Sequence, residues 1–278
     1  MLGYLGSVPR RPTVPLLVAL ACLLAMALTG LLALASPGAQ ERDAAVLHGF
    51  VALDDRRVHN AVDVIAHLAD PLPYLTVGAA LIGWALLRGL RWRAASVAAL
   101  LVVTGVSTQA AKHLLAQPRF EAWLGGDQVD AAAWPSGHST AAMTLALCAV
   151  LVAPPALRLA VAVLGGAFAA AVGYAVLVLA WHFPCDVLGG FLMAGTWTAL
   201  AVAGLRVVEP RREQRASEPG LGLGLGVAAV AALGAAIVVA APRARVALYA
   251  SERPALVLGA LVIAALAGAL AAGLARAA

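Results

Sequence analysis

The chain is dominated by long apolar runs that are separated by short charged breaks. A run of about 20 apolar residues is long enough to cross the hydrocarbon core of a membrane as an α-helix. With 63% hydrophobic and 12% charged residues, the chain is too apolar for a soluble domain. It therefore predicts an all-α fold, a polytopic transmembrane helix bundle. Candidate spans lie near residues 13–35, 72–90, 94–114, 137–153, 159–180, 185–205, 221–241 and 254–274.

Composition also argues against other classes of protein. The three cysteines lie in or beside apolar runs and cannot all pair, so we expect no disulfide framework. The formal charge of +5 could suggest nucleic-acid binding, but the basic residues are scattered between the spans, and we expect no nucleic-acid partner. Arg10 and Arg11 precede the first run as in a signal peptide. That run is long and no clear cleavage site follows it, so we expect a retained span.

The distribution of charge predicts an orientation. If the N-terminus lies in the cytoplasm, the inner segments hold 11 of the 19 Lys and Arg residues but only 3 of the 14 Asp and Glu residues. Basic residues accumulate in the cytoplasmic loops of membrane proteins. We therefore expect an integral protein of a bacterial plasma membrane, with both termini inside and the polar motifs described below at the outer face.

Two segments interrupt the pattern of spans. Residues 36–70 carry charges and apolar residues at helical spacing, which fits an amphipathic helix on the outer membrane surface or, equally well, a helix packed on the bundle. Residues 206–220 are charged and are expected to form a cytoplasmic linker. The chain then divides into a six-span core at 1–205, the linker at 206–220 and an additional two-span hairpin at 221–278.

The first polar motif is Pro135-Ser136-Gly137-His138, directly before an apolar run. Ser136 can cap the start of a helix, whose free N–H groups and dipole attract an anion. His138 would lie within reach of that anion. Taken alone, this short string is better explained by a plain helix cap with no ligand.

The second motif pairs His182 with Asp186 at a spacing of four. If a helix begins with Pro184 in its first turn, the two side chains lie on neighbouring turns. A carboxylate on one ring nitrogen fixes the tautomer and leaves the other nitrogen free as a nucleophile. A structural ion pair at the end of a span is the alternative.

Two cations precede these motifs. Lys112 supplies a point charge and Arg119 a bidentate fork, and both can bind a phosphoryl group, whose negative charge is spread over its oxygens. Either residue alone is better explained by anchoring a span at the headgroup layer.

The order and spacing of the three motifs resemble the type 2 phosphatidic acid phosphatase family, the lipid-phosphatase branch of the vanadium haloperoxidase superfamily. The resemblance covers roughly residues 40–205. It implies a six-span phosphatase core that hydrolyses lipid phosphates without a metal or other cofactor. Lys112 and Arg119 would bind the phosphate, and Ser136 and Gly137 would complete its cradle.

The resemblance also implies the catalytic roles. His182, oriented by Asp186, would form a phosphohistidine, and His138 would protonate the leaving group. Water would then release phosphate. The expected partners are a lipid phosphate or pyrophosphate substrate and membrane lipids, and the sequence chooses neither the head group nor the oligomeric state.

The chain departs from the family at two motifs. The third family motif usually begins Ser-Arg, where this chain has Ala175 and Val176, and Gln117 stands where the first motif has another arginine. One family phosphate ligand is therefore absent. Another cation could replace it, or the protein could be a weak or silent relative that binds phospholipid; a transporter-like protein is a third reading. Candidate replacements are Arg56, Arg57, Arg243, Arg245 and Arg253.

Overall fold

The computed structural model describes residues 12–54, 58–118, 129–209 and 251–277. Within these ranges all regular structure is helical, in agreement with the predicted all-α bundle. A 3₁₀ turn at Pro155–Leu157 precedes the seventh helix. The α-helices are α1 (Thr13–Ala35), α2 (Pro37–Val51), α3 (His59–His67), α4 (Pro71–Leu87), α5 (Arg91–Leu114), α6 (Gly137–Val152), α7 (Arg158–Val178), α8 (Pro184–Val208) and α9 (Pro254–Ala277).

Five of the described helices, α1, α5, α7, α8 and α9, are long and apolar enough to cross a membrane. A sixth candidate is the pair α3–α4, which is bent by 52° at the short break between the two helices. The apolar helix α6 has 16 residues, about 24 Å at 1.5 Å per residue, and is shorter than a typical span. The predicted span at 221–241 lies outside the described residues. The chain is an integral membrane protein.

Residues 36–70 form two helices rather than one. Ser36 caps α2 by accepting the Ala39 N–H at 3.4 Å. Leu47 and Phe50 of α2 are buried, and the Phe50 ring stacks on Tyr174 of α7 at a centroid distance of 5.6 Å. The helix α2 is thus packed on the bundle.

The helix α9 also packs into the bundle. The Tyr174 hydroxyl of α7 donates a hydrogen bond of 2.6 Å to the Ala260 carbonyl of α9. A Cβ added to Gly166 of α7 would lie 3.4 Å from the Ala267 carbonyl oxygen, so the two backbones are close. Small residues at such crossings allow helices to approach closely within a membrane. The division of the chain into a core, a linker and a hairpin stays a prediction, although α8 extends to Val208 and so enters the predicted linker.

A buried ion pair joins α5 to the residue that follows α8. Arg93 Nε lies 2.6 Å from Glu209 Oε1, and Arg93 Nη2 lies 3.2 Å from Oε2. Arg93 Nη1 also donates to the Leu151 carbonyl at the end of α6. The polar motifs lie at the opposite end of the bundle, where α5 ends and α6 and α8 begin. The ion pair therefore holds together the three helices that carry these motifs.

Candidate active site

Three helix ends meet around a cavity of about 390 Å³. Lys112 comes from the last turn of α5, His138 from the first turn of α6 and His182 from the segment before α8, and all three line the cavity. Gly137 lines it as well. The structure therefore brings together one lysine and two histidines that are far apart in the sequence.

The start of α6 forms the floor of this cavity. Ser136 is the N-cap, and its hydroxyl accepts the Ser139 N–H at 3.3 Å. The first N–H groups of a helix have no partner within the helix and attract anions. A Cβ added to Gly137 would lie 4.0 Å from Nζ of Lys112, so the ammonium lies directly beside this helix start. A positive helix end and a lysine thus share one space.

A backbone hydrogen bond connects the two histidine motifs. The Ser136 N–H donates to the Asp186 carbonyl at 2.9 Å. The helices α6 and α8 approach so closely here that a Cβ on Gly190 would lie 2.7 Å from the Ser136 carbonyl oxygen. Glycine is therefore required at position 190 for this approach.

His182 and Asp186 form the predicted pair. The helix α8 begins at Pro184, and His182 Nδ1 lies 3.5 Å from Asp186 Oδ2. The side chains are only 7% and 0% exposed. The same Asp186 oxygen accepts the Phe183 N–H at 2.9 Å, which holds the carboxylate in place at the helix start. Because Nδ1 faces the carboxylate, Nε2 of His182 remains for chemistry.

His138 has a partner that sequence reasoning missed. Its Nε2 lies 3.2 Å from Oδ1 of Asp70, the residue before α4. The His138 ring lies 6.3 Å from the His182 ring and 5.3 Å from Trp181, measured between centroids. The signal available in the sequence was a carboxylate directly before the two prolines Pro71 and Pro73.

One wall of the cavity descends along α4 and α5. It includes Leu75, which is 60% exposed on the surface of the bundle, and Gly105, which is also exposed. On the same wall the Tyr74 hydroxyl donates to the Leu101 carbonyl at 3.0 Å. The cavity therefore reaches the lateral, membrane-facing surface of the bundle.

The structure describes both Val176 and Gln117, the positions where the family motifs have arginines. Val176 is completely buried in the apolar core and is not among the residues that line the cavity. Gln117 donates from Nε2 to the Leu34 carbonyl at 2.6 Å, so it ties the loop after α5 to α1. Arg253 comes just before α9 and does not line the cavity.

The other predicted cations lie outside the described residues: Arg119, Arg56, Arg57, Arg243 and Arg245.

In the part of the chain that the structure describes, no group of three or more His, Cys, Asp or Glu side chains is arranged to hold a metal ion.

Comparison with known proteins identifies the region that carries this site. Residues 92–209 match the model of the PAP2 superfamily, and the match contains all seven predicted site residues. The fold is similar to the crystal structure of a transmembrane PAP2-type phosphatidylglycerolphosphate phosphatase from Bacillus subtilis, with 21% identity and a TM-score of 0.52 over 69% of this chain and 98% of that one. No curated protein is significantly similar in sequence. The part of this membrane protein that carries the candidate site, residues 92–209, is thus similar to the PAP2 superfamily.

Proposed function

We propose that the protein is a lipid phosphatase that works through a phosphohistidine at the extracytoplasmic face of the membrane. The observation that carries the proposal is the single cavity lined by Lys112, His138 and His182, with Asp186 behind His182 and the start of α6 as its floor. The PAP2 family match and the fold similarity support the same class of reaction.

The phosphate binds between Lys112 and the N–H groups at the start of α6. Catalysis of phosphoryl transfer consists mostly of positioning the group and stabilising its charge, and both a lysine and a helix N-terminus serve this purpose. Ser136 and Gly137 shape the cradle, and Arg119 adds a second cation. The binding mode requires no metal or other cofactor.

The reaction has two steps. His182 Nε2 attacks phosphorus, the bond to the leaving oxygen breaks, and His138 gives that oxygen a proton. Asp186 stabilises the positive charge that develops on the His182 ring. A water molecule then attacks the phosphohistidine while His138 takes a proton from it, which releases inorganic phosphate and restores both histidines.

The substrate is a phosphate or pyrophosphate monoester of a lipid. Its head group occupies the cavity, and its apolar tail enters from the bilayer between α4 and α5, where the wall with Leu75 and Gly105 is open. The charge asymmetry of the loops supports an outer location of the site.

The test is phosphate release by the purified full chain. The lipid panel contains phosphatidate, phosphatidylglycerophosphate and polyprenyl phosphate and pyrophosphate. We expect release from at least one lipid, loss of release in His182→Ala, and unchanged release in His113→Ala, which alters an exposed residue beside Lys112. With a ³²P-labelled lipid, an acid-labile label should appear on the wild-type protein and be absent from His182→Ala. A His182→Ala variant as active as wild type would contradict the mechanism.

A silent relative that binds phospholipid is the second candidate. This candidate is favoured by Val176. The position that holds an arginine in the family holds a completely buried apolar side chain in this chain. This alternative predicts that the protein binds vesicles containing phosphatidate and releases no phosphate from any lipid of the panel.

A further inference from the structure

The carboxylate of Asp70 contacts a histidine of another helix instead of capping its own. Asp70 is the N-cap residue of α4, a position where Asp usually accepts a backbone N–H of the first turn. Its side chain makes no capping bond. Its Oδ1 instead lies 3.2 Å from Nε2 of His138 in α6.

The sequence after Asp70 explains why its carboxylate is available. Proline has no backbone N–H, and Pro71 and Pro73 occupy the first and third positions of α4. Within the first three positions of α4, only Leu72 has a backbone N–H that could donate to a capping side chain. The local helix therefore competes weakly for the carboxylate.

The other neighbours of His138 disfavour a proton on its ring. Lys112 of α5 and His182 line the same cavity, and Trp181 packs against the His138 ring. Burial beside an apolar ring and nearby positive charge both favour neutral imidazole. Two groups lie behind these neighbours of His138. Asp186 faces His182, and the His67 ring of α3 packs against Trp181 with 5.6 Å between the ring centroids. Asp70 is thus the carboxylate that contacts His138 among the described residues.

We propose that Asp70 is a positioning residue that keeps the Nε2–H tautomer of His138 and favours its protonated form. This inference rests on the proposed function, in which His138 is the general acid. With Nε2–H directed at Asp70, the proton on Nδ1 is the one transferred to the leaving oxygen. In the second step Nδ1 takes a proton from the attacking water, and the Asp70 contact persists throughout.

The experiment compares the pH dependence of kcat/KM, which reports only the first step of the reaction, for wild type and Asp70→Asn on two substrates. One is a lipid alkyl phosphate, whose leaving oxygen needs a proton, and the other is an aryl phosphate, whose leaving oxygen does not. Because loss of the carboxylate disfavours imidazolium, the alkaline limb for the alkyl phosphate should move to lower pH by about one unit. The value of kcat/KM for that substrate at pH 8 should fall by up to about tenfold, while the value for the aryl phosphate should change less than about threefold.

Two further variants separate positioning from a structural role. Asp70→Glu should restore the alkaline limb, because it restores the charge. Asp63→Asn is the matched control, since Asp63 also faces a histidine, His67, at 3.5 Å, but that pair does not line the cavity. It should leave both profiles unchanged. Equal losses on both substrates in Asp70→Asn, or an unmoved alkaline limb, would overturn the proposal.

An NMR titration distinguishes failure of this inference from failure of the proposed function. Wild-type phosphate release and its loss in His182→Ala test the function alone. In histidine-labelled full chain, the His138 resonance, assigned with His138→Gln, should titrate at lower pH in Asp70→Asn than in wild type. An unchanged midpoint would refute the role of Asp70 even if the protein proves to be silent.

Discussion

The backbone N–H of Ser136 donates a hydrogen bond of 2.9 Å to the carbonyl of Asp186. This bond joins the N-cap of α6 to the first turn of α8, so it links the helix start that we propose to bind phosphate to the His182–Asp186 pair. Beside this bond, the lack of a side chain at Gly190 lets the backbones of α6 and α8 approach each other closely.

Gly190→Ala should therefore damage the site. The added Cβ would meet the Ser136 carbonyl oxygen at 2.7 Å and the Thr140 N at 3.0 Å, and backbone atoms cannot turn away as a flexible side chain can. We expect a loss of about 1–3 kcal/mol in stability and a marked loss of phosphate release. Gly204→Ala in the same helix is the control, because its Cβ would meet nothing within 4 Å. Thermal unfolding in detergent measures the stability of both variants, and an equal loss of stability in the two would contradict the packing argument.

Lys112→Met should lower kcat by roughly 10²–10³-fold, as expected when a charge-stabilising contact to the transferring group is lost. Lys112→Arg should retain part of the activity, because it keeps the charge and changes its geometry. The neighbouring exposed His113 can be changed to Gln as the control. Steady-state kinetics on the best lipid of the panel gives the comparison. Wild-type kcat in Lys112→Met would exclude the lysine from the site.

Asp186→Asn tests the charge behind His182, the proposed nucleophile. The asparagine carbonyl can still accept the Phe183 N–H, so the start of α8 should be preserved. The positive charge that develops on His182 would lose its partner, and we expect kcat to fall by roughly 10²-fold or more. Asp54→Asn is the matched change, since Asp54 pairs with His59 at 3.0 Å where the histidine is half exposed. If both variants lose activity equally, the pair at α8 has no special role.

Chelation should leave the reaction unchanged. In the proposed mechanism a lysine, an arginine and a helix N-terminus supply the positive charge that a metal supplies in other phosphatases. Phosphate release should be the same with excess EDTA, with added Mg²⁺ and in untreated protein. Strict dependence on a divalent ion would refute this mechanism.

Gly166→Leu should destabilise the contact between α7 and α9. The Cβ of residue 166 points at the Ala267 carbonyl from 3.4 Å, so alanine fits with a small adjustment but leucine does not. We expect Gly166→Ala to be tolerated and Gly166→Leu to cost about 1–3 kcal/mol. Gly273→Leu on α9 is the control, because its Cβ would meet nothing within 4 Å. Thermal unfolding of the three variants provides the measurement, and full tolerance of Gly166→Leu would show that the contact is loose.

The sequence predicted the fold class because span length follows directly from hydrophobicity. The apolar runs near 13–35, 94–114, 159–180, 185–205 and 254–274 correspond to helices long enough to cross a membrane. The family was also predictable, because its motifs are short strings with fixed internal spacing. The catalytic roles of the site residues stay predictions, although the structure brings Lys112, His138 and His182 to one cavity.

Contacts between distant segments were not predictable from the sequence. Asp70 and His138 are 68 positions apart, and no periodicity connects them. Arg93 is one of the 11 basic residues that the orientation prediction assigns to the inner segments, yet its guanidinium is buried against Glu209. Helical spacing in residues 36–70 did not show that this segment contains two helices, because charged and apolar residues continue through the whole segment.

The packing of α9 on α7 has a consequence for biogenesis. A ribosome delivers α7 to the membrane well before it has made α9, since the whole of α8 and the segment after it come between them. During that interval the part of the α7 surface that α9 later covers, around Gly166, lacks this protein neighbour and is open to lipid chains. The later helix must displace those chains, and only then does the Tyr174 hydroxyl gain the Ala260 carbonyl as its acceptor. Insertion of the spans and completion of the bundle are therefore separate events in time.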